Sequence, residues 1–156
     1  MNVSFSKALA AEIAVIALLV IGYFSADIYA FYKKQKVEYT PPLACELNKQ
    51  NCAVALKDGS ILEVSMEPKL ILPLQKAKFV VKNIGAKSAT ATIRGLNMGM
   101  GLHEYKFQKN SDGFFEAFVM LPTCSIDMKW QMDVFVSKNS GEYGGGFILW
   151  SKNNNE

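Results

Sequence analysis

Between Ala8 and Tyr32 the chain places 21 hydrophobic residues in 25 positions, broken only by Glu12, Gly22, Ser25 and Asp27. A bilayer's hydrocarbon core is roughly 30 Å thick and takes about 20 helical residues, and the stretch from about Ala10 to Tyr32 is long enough to cross it. The part between the two acids, Ile13 to Ala26, is 14 residues, or about 21 Å of helix. Glu12 or Asp27 is therefore expected inside the nonpolar slab or at its edge. Both acids can snorkel to opposite interfaces, or one of them can face a partner helix in a larger membrane complex. Tyr23, Phe24, Tyr29, Phe31 and Tyr32 crowd the second end as an interfacial aromatic belt does. A cleaved signal fits less well, because the small residue expected two places before a cut is missing: Phe24 stands before Ala26 and Ile28 before Ala30. The expectation is an uncleaved, single-pass N-terminal anchor with a basic flank over residues 1–36.

Taking that run away changes how the rest reads. The remainder is about 44% apolar, as in an ordinary globular fold, and 156 residues allow one domain plus a short appendage. From Val37 onward there are 13 cations against 12 anions, so the basic footprint of a nucleic-acid binder is missing. A single His in the whole chain leaves multi-histidine zinc chemistry and a Ser-His-Asp triad impossible or nearly so. With no paired-carboxylate motif and no cofactor fingerprint either, the chain does not read as an enzyme.

Orientation is contested within the sequence. Lys7 on one side of the apolar run against Lys33, Lys34 and Lys36 on the other would leave the domain in the cytoplasm by the positive-inside rule. Cys45 and Cys52 argue the opposite: they flank a polar turn at a spacing short enough for a disulfide to close, which belongs to an oxidising, periplasm-like compartment. We follow the cysteines. Cys124 is then the odd thiol, although three pairings are possible. No C-x-x-C is present, which disfavours thiol-disulfide exchange.

Beyond the basic patch, residues 37–51 read as an extended linker in which Thr40-Pro41-Pro42 is a stiff spacer lifting the domain off the lipid surface. Residues 52–151 then alternate with a period of two. Candidate strands are Ala53 to Leu56, Ile61 to Glu67, Lys78 to Asn83, Ala89 to Arg94, Glu104 to Gln108, Phe114 to Leu121, Lys129 to Val136 and Gly146 to Trp150. Turn signals separate them, among them Lys57-Asp58-Gly59, Asn83-Ile84-Gly85 and Asn110-Ser111-Asp112-Gly113. Trp130, Met132, Val134 and Val136 fall on one face of a strand and Lys129, Gln131 and Asp133 on the other, the mark of a half-buried sheet. The fold class expected is mainly β, an immunoglobulin-like antiparallel β-sandwich behind one transmembrane helix, with a frayed polar tail over 152–156.

Chemistry concentrates in one place. Of the six methionines after the first residue, five lie between Met98 and Met132, together with the only His and Cys124. The densest piece, Gly95 to His103, holds a Met-x-Met-x2-His arrangement in a glycine-rich loop. Thioether sulfur and imidazole are the soft and borderline donors that Cu(I) prefers. In an extended loop Met98 and Met100 project to one side, and the glycines let the backbone curl until His103 completes a three-coordinate site, with Met120, Met128 or Cys124 as a fourth donor. Methionine also fills irregular core gaps, which is the expected role of Met120 and Met132 on their strands.

The order of features resembles the FixH-like and YtkA-like families of bacterial membrane-anchored proteins. It comprises an N-terminal anchor, the loop Gly95, Met98, Met100, Gly101, then Asp112-Gly113-Phe114-Phe115, Leu121-Pro122, and a Trp-x-Met-x-Val strand from Trp130. The likeness covers the anchor and roughly Ile61 to Val136. It implies a periplasm-facing immunoglobulin-like domain on the bacterial inner membrane and, for FixH-like proteins, a link to copper supply or assembly of a haem-copper oxidase of the cbb3 type. Met98 and Met100 match the Met-x-Met element; His103 and the cysteines lie outside it.

Two expectations follow. One is a copper-handling accessory protein in which Met98, Met100, His103 and Cys124 hold Cu(I) beside the bilayer and pass it to a membrane partner such as a terminal oxidase. The other is a metal-free assembly factor or accessory subunit whose helix docks through Asp27 or Glu12.

Overall fold

In the computed structural model the residues described are 12–25, 29, 37–42, 45–72, 74–122 and 124–153. The chain divides between Lys36 and Val37 into two compact units. In the first, residues 12–25 are helical and all exposed. Among the described residues no helix is long and apolar enough to cross a membrane. The expected span from Ala10 to Tyr32 runs at both ends into residues outside the described set, and Asp27 is one of these.

The second unit consists of two five-stranded sheets packed as a sandwich. One has the order β1 (Val37–Thr40), β10 (Gly141–Ser151), β9 (Met128–Lys138), β5 (Ser88–Gly95), β6 (His103–Lys106). The other runs β2 (Cys52–Ala55), β3 (Ile61–Glu67), β4 (Lys76–Lys82), β8 (Phe115–Met120), β7 (Gln108–Lys109). All the strand pairs are antiparallel except β1 with β10. The alternation read from the sequence decides what lies inside: Leu62, Val64 and Met66 of β3 and Trp130, Met132, Val134 and Val136 of β9 are sealed in the core between the sheets. Trp130 also donates from Nε1 to Ser151 Oγ at 2.9 Å, so its one polar atom is satisfied inside the core.

The candidate strand Glu104 to Gln108 is two strands. His103 and Tyr105 lie opposite Ile93 and Ala91, and buried Phe107 then turns the chain from one sheet into the other. At the opposite edge of the sandwich the change of sheet is made between β1 and β2. Here the expected linker over 37–51 is replaced by structure. Val37–Thr40 is a strand aligned with Glu142 to Gly145, Leu47 is fully buried, and Cys45 and Cys52 are joined by a disulfide. Lys69 Nζ donates to Leu47 O at 3.1 Å and to Asn51 Oδ1 at 2.9 Å. Pro41-Pro42 is no spacer either, because β10 offers it a seat: a Cβ on Gly146 would lie 2.9 Å from Pro42 Cβ and 2.5 Å from Tyr39 Oη. The first residues of the expected frayed tail are held as well, Lys152 N donating to Ile71 O and Asn153 N to Asp127 Oδ1.

The same segment buries side chains that alternation assigns to solvent. Gln131 and Asp133 are buried because Tyr39 covers them. The Tyr39 hydroxyl donates to the Asp133 carboxylate, and Gln131 Nε2 donates to Asp133 Oδ1 at 2.7 Å. Burial, then the bond to Asp133 and its charge, push the Tyr39 phenol up to about 12. Between its ordinary value near 10 and that figure the folded chain keeps a proton that the unfolded chain has lost. The stability this group contributes is therefore present below pH 10 and disappears as pH rises toward 12. In a spectrophotometric titration Tyr39 should ionise well after an ordinary tyrosine, and Tyr39→Phe should remove the step near pH 12; an unchanged curve would contradict the assignment.

The connections β2–β3, β4–β5, β7–β8 and β9–β10 gather at one pole, where β1 also begins, Val37 lying opposite Glu142. The connections β3–β4, β5–β6 and β8–β9 gather at the other. The 11 residues of β9 separate the two by about 33 Å at 3.3 Å per residue.

A sulfur-rich rim at one pole

The β5–β6 loop carries Met98 and Met100, and it is pinned rather than loose. Asn97 donates from Nδ2 to Asp127 O at 2.9 Å and accepts at Oδ1 from Lys129 N at 3.0 Å. Leu96 N donates to Lys129 O at 2.8 Å, and Met100 N folds back onto Met98 O at 2.7 Å. Gly95 makes this tight return possible: a Cβ there would stand 2.7 Å from Met98 O, 3.0 Å from Met128 Cε and 3.2 Å from Met100 Cβ. Asn97 was not singled out in the sequence, although a lone amide inside a glycine-rich loop is a recognisable turn residue.

The fold sorts the methionines. Met66, Met128 and Met132 are sealed in the core. The burial expected of Met120 does not occur, since it alternates to the exposed face of β8. Met98 is 39% exposed and Met100 is half-buried. Met100 Sδ lies 4.0 Å from Sγ of Cys124, a half-buried free thiol in the β8–β9 connection. Met100 and Cys124, 24 residues apart, thus bring two soft sulfurs together where the sandwich opens to solvent. His103, half-buried, begins β6 and shares the inward face of its sheet with Ile93 and Tyr105. The Tyr105 hydroxyl reaches Met120 O at 3.4 Å across the gap between the sheets, and its burial raises the phenol's pKa.

Among the described residues no three His, Cys, Asp or Glu side chains converge in a way that could hold a metal ion. The soft and borderline donors on these connections are thioether sulfur, one thiol and, at the start of β6, one imidazole, while the Asp127 carboxylate nearby is engaged by Asn153 N at 3.0 Å and Lys152 Nζ at 3.4 Å. That set suits a soft monovalent ion such as Cu(I) and is a poor match for Mg²⁺ or Ca²⁺. The rim belongs to the pole of the sandwich away from Val37. Of the two acids considered as helix contacts, Glu12 is exposed at the first described helical residue and Asp27 lies outside the described residues.

No protein-family model matches the chain, and no curated protein matches it. Among solved structures it is similar to an engineered protein determined by crystallography, with 9% sequence identity and a TM-score of 0.45 over 59% of this chain. The chain covers 20% of that protein's length.

Proposed function

We propose that this chain is a membrane-anchored copper-handling accessory protein whose immunoglobulin-like domain faces the periplasm. The observation that carries the reading is the placing of Met100 Sδ 4.0 Å from the free Cys124 Sγ, beside exposed Met98 and on a loop held in shape by Asn97. Partly exposed thioethers give a low coordination number and an accessible ion, which suits transfer better than storage. His103 supplies a borderline donor from the first residue of the adjoining strand. The anchor is supported by a described helix whose residues from Ile13 to Gly22 carry no polar side chain and are all exposed, a pattern that water does not stabilise. The Cys45–Cys52 disulfide supports an oxidising compartment. Delivery to a haem-copper oxidase is the partner suggested by the family resemblance.

Competition for Cu(I) against a colorimetric chelator, using the full chain in mild detergent, tests the site. Met98→Ala with Met100→Ala should weaken binding at least about tenfold, the equivalent of one lost ligand worth roughly 1.4 kcal/mol. Cys124→Ala should weaken it too. Unchanged affinity in both variants would eliminate the rim as the metal site. Co-purification of a membrane complex that survives both would then favour the metal-free accessory role.

A further inference from the structure

The pole at which β1 begins is built differently from the sulfur rim. Its β4–β5 turn, Asn83-Ile84-Gly85, holds Gly85 at φ +81°, where glycine is favoured. Asn83 Nδ2 ties the turn to Ser60 Oγ at 3.0 Å and to Ile61 O at 2.8 Å. This fastened turn presents Ile84 outward, 92% exposed, with Ile61 at 63% and Phe114 at 38% beside it. Together they line an open groove of about 610 Å³. Lysines frame it: Lys82 Nζ stands 5.0 Å from the Phe114 ring centroid and Lys109 Nζ 5.8 Å from that of Phe115, while Lys57 and Lys87 are exposed in neighbouring connections. Of the acids at this pole, Glu63 is paired with Lys82 at 3.6 Å, Asp58 is held by Lys138 at 2.8 Å, Asp112 is exposed, and Glu38 and Glu142 are half-buried where β1 and β10 begin.

The length of chain before β1 identifies what can reach this surface. From Tyr32, the last residue of the apolar run, to Val37 is five residues, which span at most about 17 Å. With Val37–Thr40 laid against β10, no spacer follows. Resting on the anchor reading above, we infer that this pole docks on the lipid surface. Ile84, Ile61 and Phe114 enter the boundary between headgroups and acyl chains, and Lys57, Lys82, Lys87 and Lys109 meet anionic headgroup phosphates. Lysine stems can lie along the apolar groups while their ammonium heads stay with the phosphates. The sulfur rim then projects about 33 Å away from the bilayer along β9, toward whatever receives the ion.

The test uses the full chain carrying Ile84→Trp, reconstituted into phosphatidylcholine–phosphatidylglycerol vesicles with brominated acyl chains. Leu72→Trp, at an exposed position of the opposite pole, serves as the comparison, and circular dichroism verifies the fold of both. The Ile84→Trp protein should show blue-shifted emission and quenching at least about twofold greater than the Leu72→Trp protein, declining when phosphatidylglycerol is omitted. Equal quenching in protein that floats with the vesicles after alkaline washing overturns the docking, leaves the anchor standing, and turns the groove over to a protein partner. Failure to float overturns the anchor and the docking with it.

Discussion

Trp130→Ala should lower the unfolding free energy of the β-sandwich by about 4 kcal/mol, the largest loss expected from any single truncation in this chain. Trp130 is fully buried and heads the volume order of the sealed side chains. Its removal takes away apolar contact, leaves a cavity that strands on both sides cannot close, and strips Ser151 Oγ of its donor inside the core. Small domains hold roughly 5–15 kcal/mol in total, so the variant should sit near its folding threshold. Trp130→Phe separates the causes. It keeps most of the packing and forfeits the hydrogen bond, and should cost about 1–2 kcal/mol. Urea unfolding followed by circular dichroism measures both. A midpoint within experimental error of the wild type for Trp130→Ala would show that the interior is far more plastic than its packing indicates.

Gly145→Val is the second large effect, and it acts through excess instead of loss. Gly145 faces the opposite sheet at close range: a Cβ there would stand 2.6 Å from Val54 Cγ1 and 3.4 Å from Leu62 Cδ2. Three added carbons must push the sheets apart, and the expected cost is about 3 kcal/mol. If the clash with Val54 is the cause, Val54→Ala should restore part of the stability in the Gly145→Val background while destabilising the wild type. The signature is a double-mutant coupling of about 1 kcal/mol or more. Additive effects would place the damage elsewhere.

These two positions also show why the sequence was legible in some places and not in others. Trp130, Met132, Val134 and Val136 announced their strand because β9 alternates cleanly and its inner face meets a full opposing sheet. The limits of Ile61–Glu67 were read as they stand, bounded by a turn and a proline. β10 was read only from Gly146, because Gly144 and Gly145 lack the side chains that betray a strand. Their reason lies in distant residues: Phe135 and Tyr39 crowd Gly144, and Val54 and Leu62 crowd Gly145. β1 was hidden by the prolines that follow it and by its parallel pairing, which leaves no hairpin turn in the sequence. At the sulfur rim the residue types were visible, but the meeting of Met100 with Cys124 across 24 positions was not. Met120 shares the outer face of β8 with Glu116 and Phe118, and the apolar Phe118 between them masked the local sign that Glu116 gives.

The parallel pairing of β1 with β10 has a mechanical corollary. Val37 stands at one pole and Ser151 at the other, so a pull between them runs along the strands and loads the hydrogen bonds of that ladder in shear, all at once. A hairpin pulled at its two open ends would unzip one rung at a time. Pulled between its first strand and its last, the domain would yield late and abruptly.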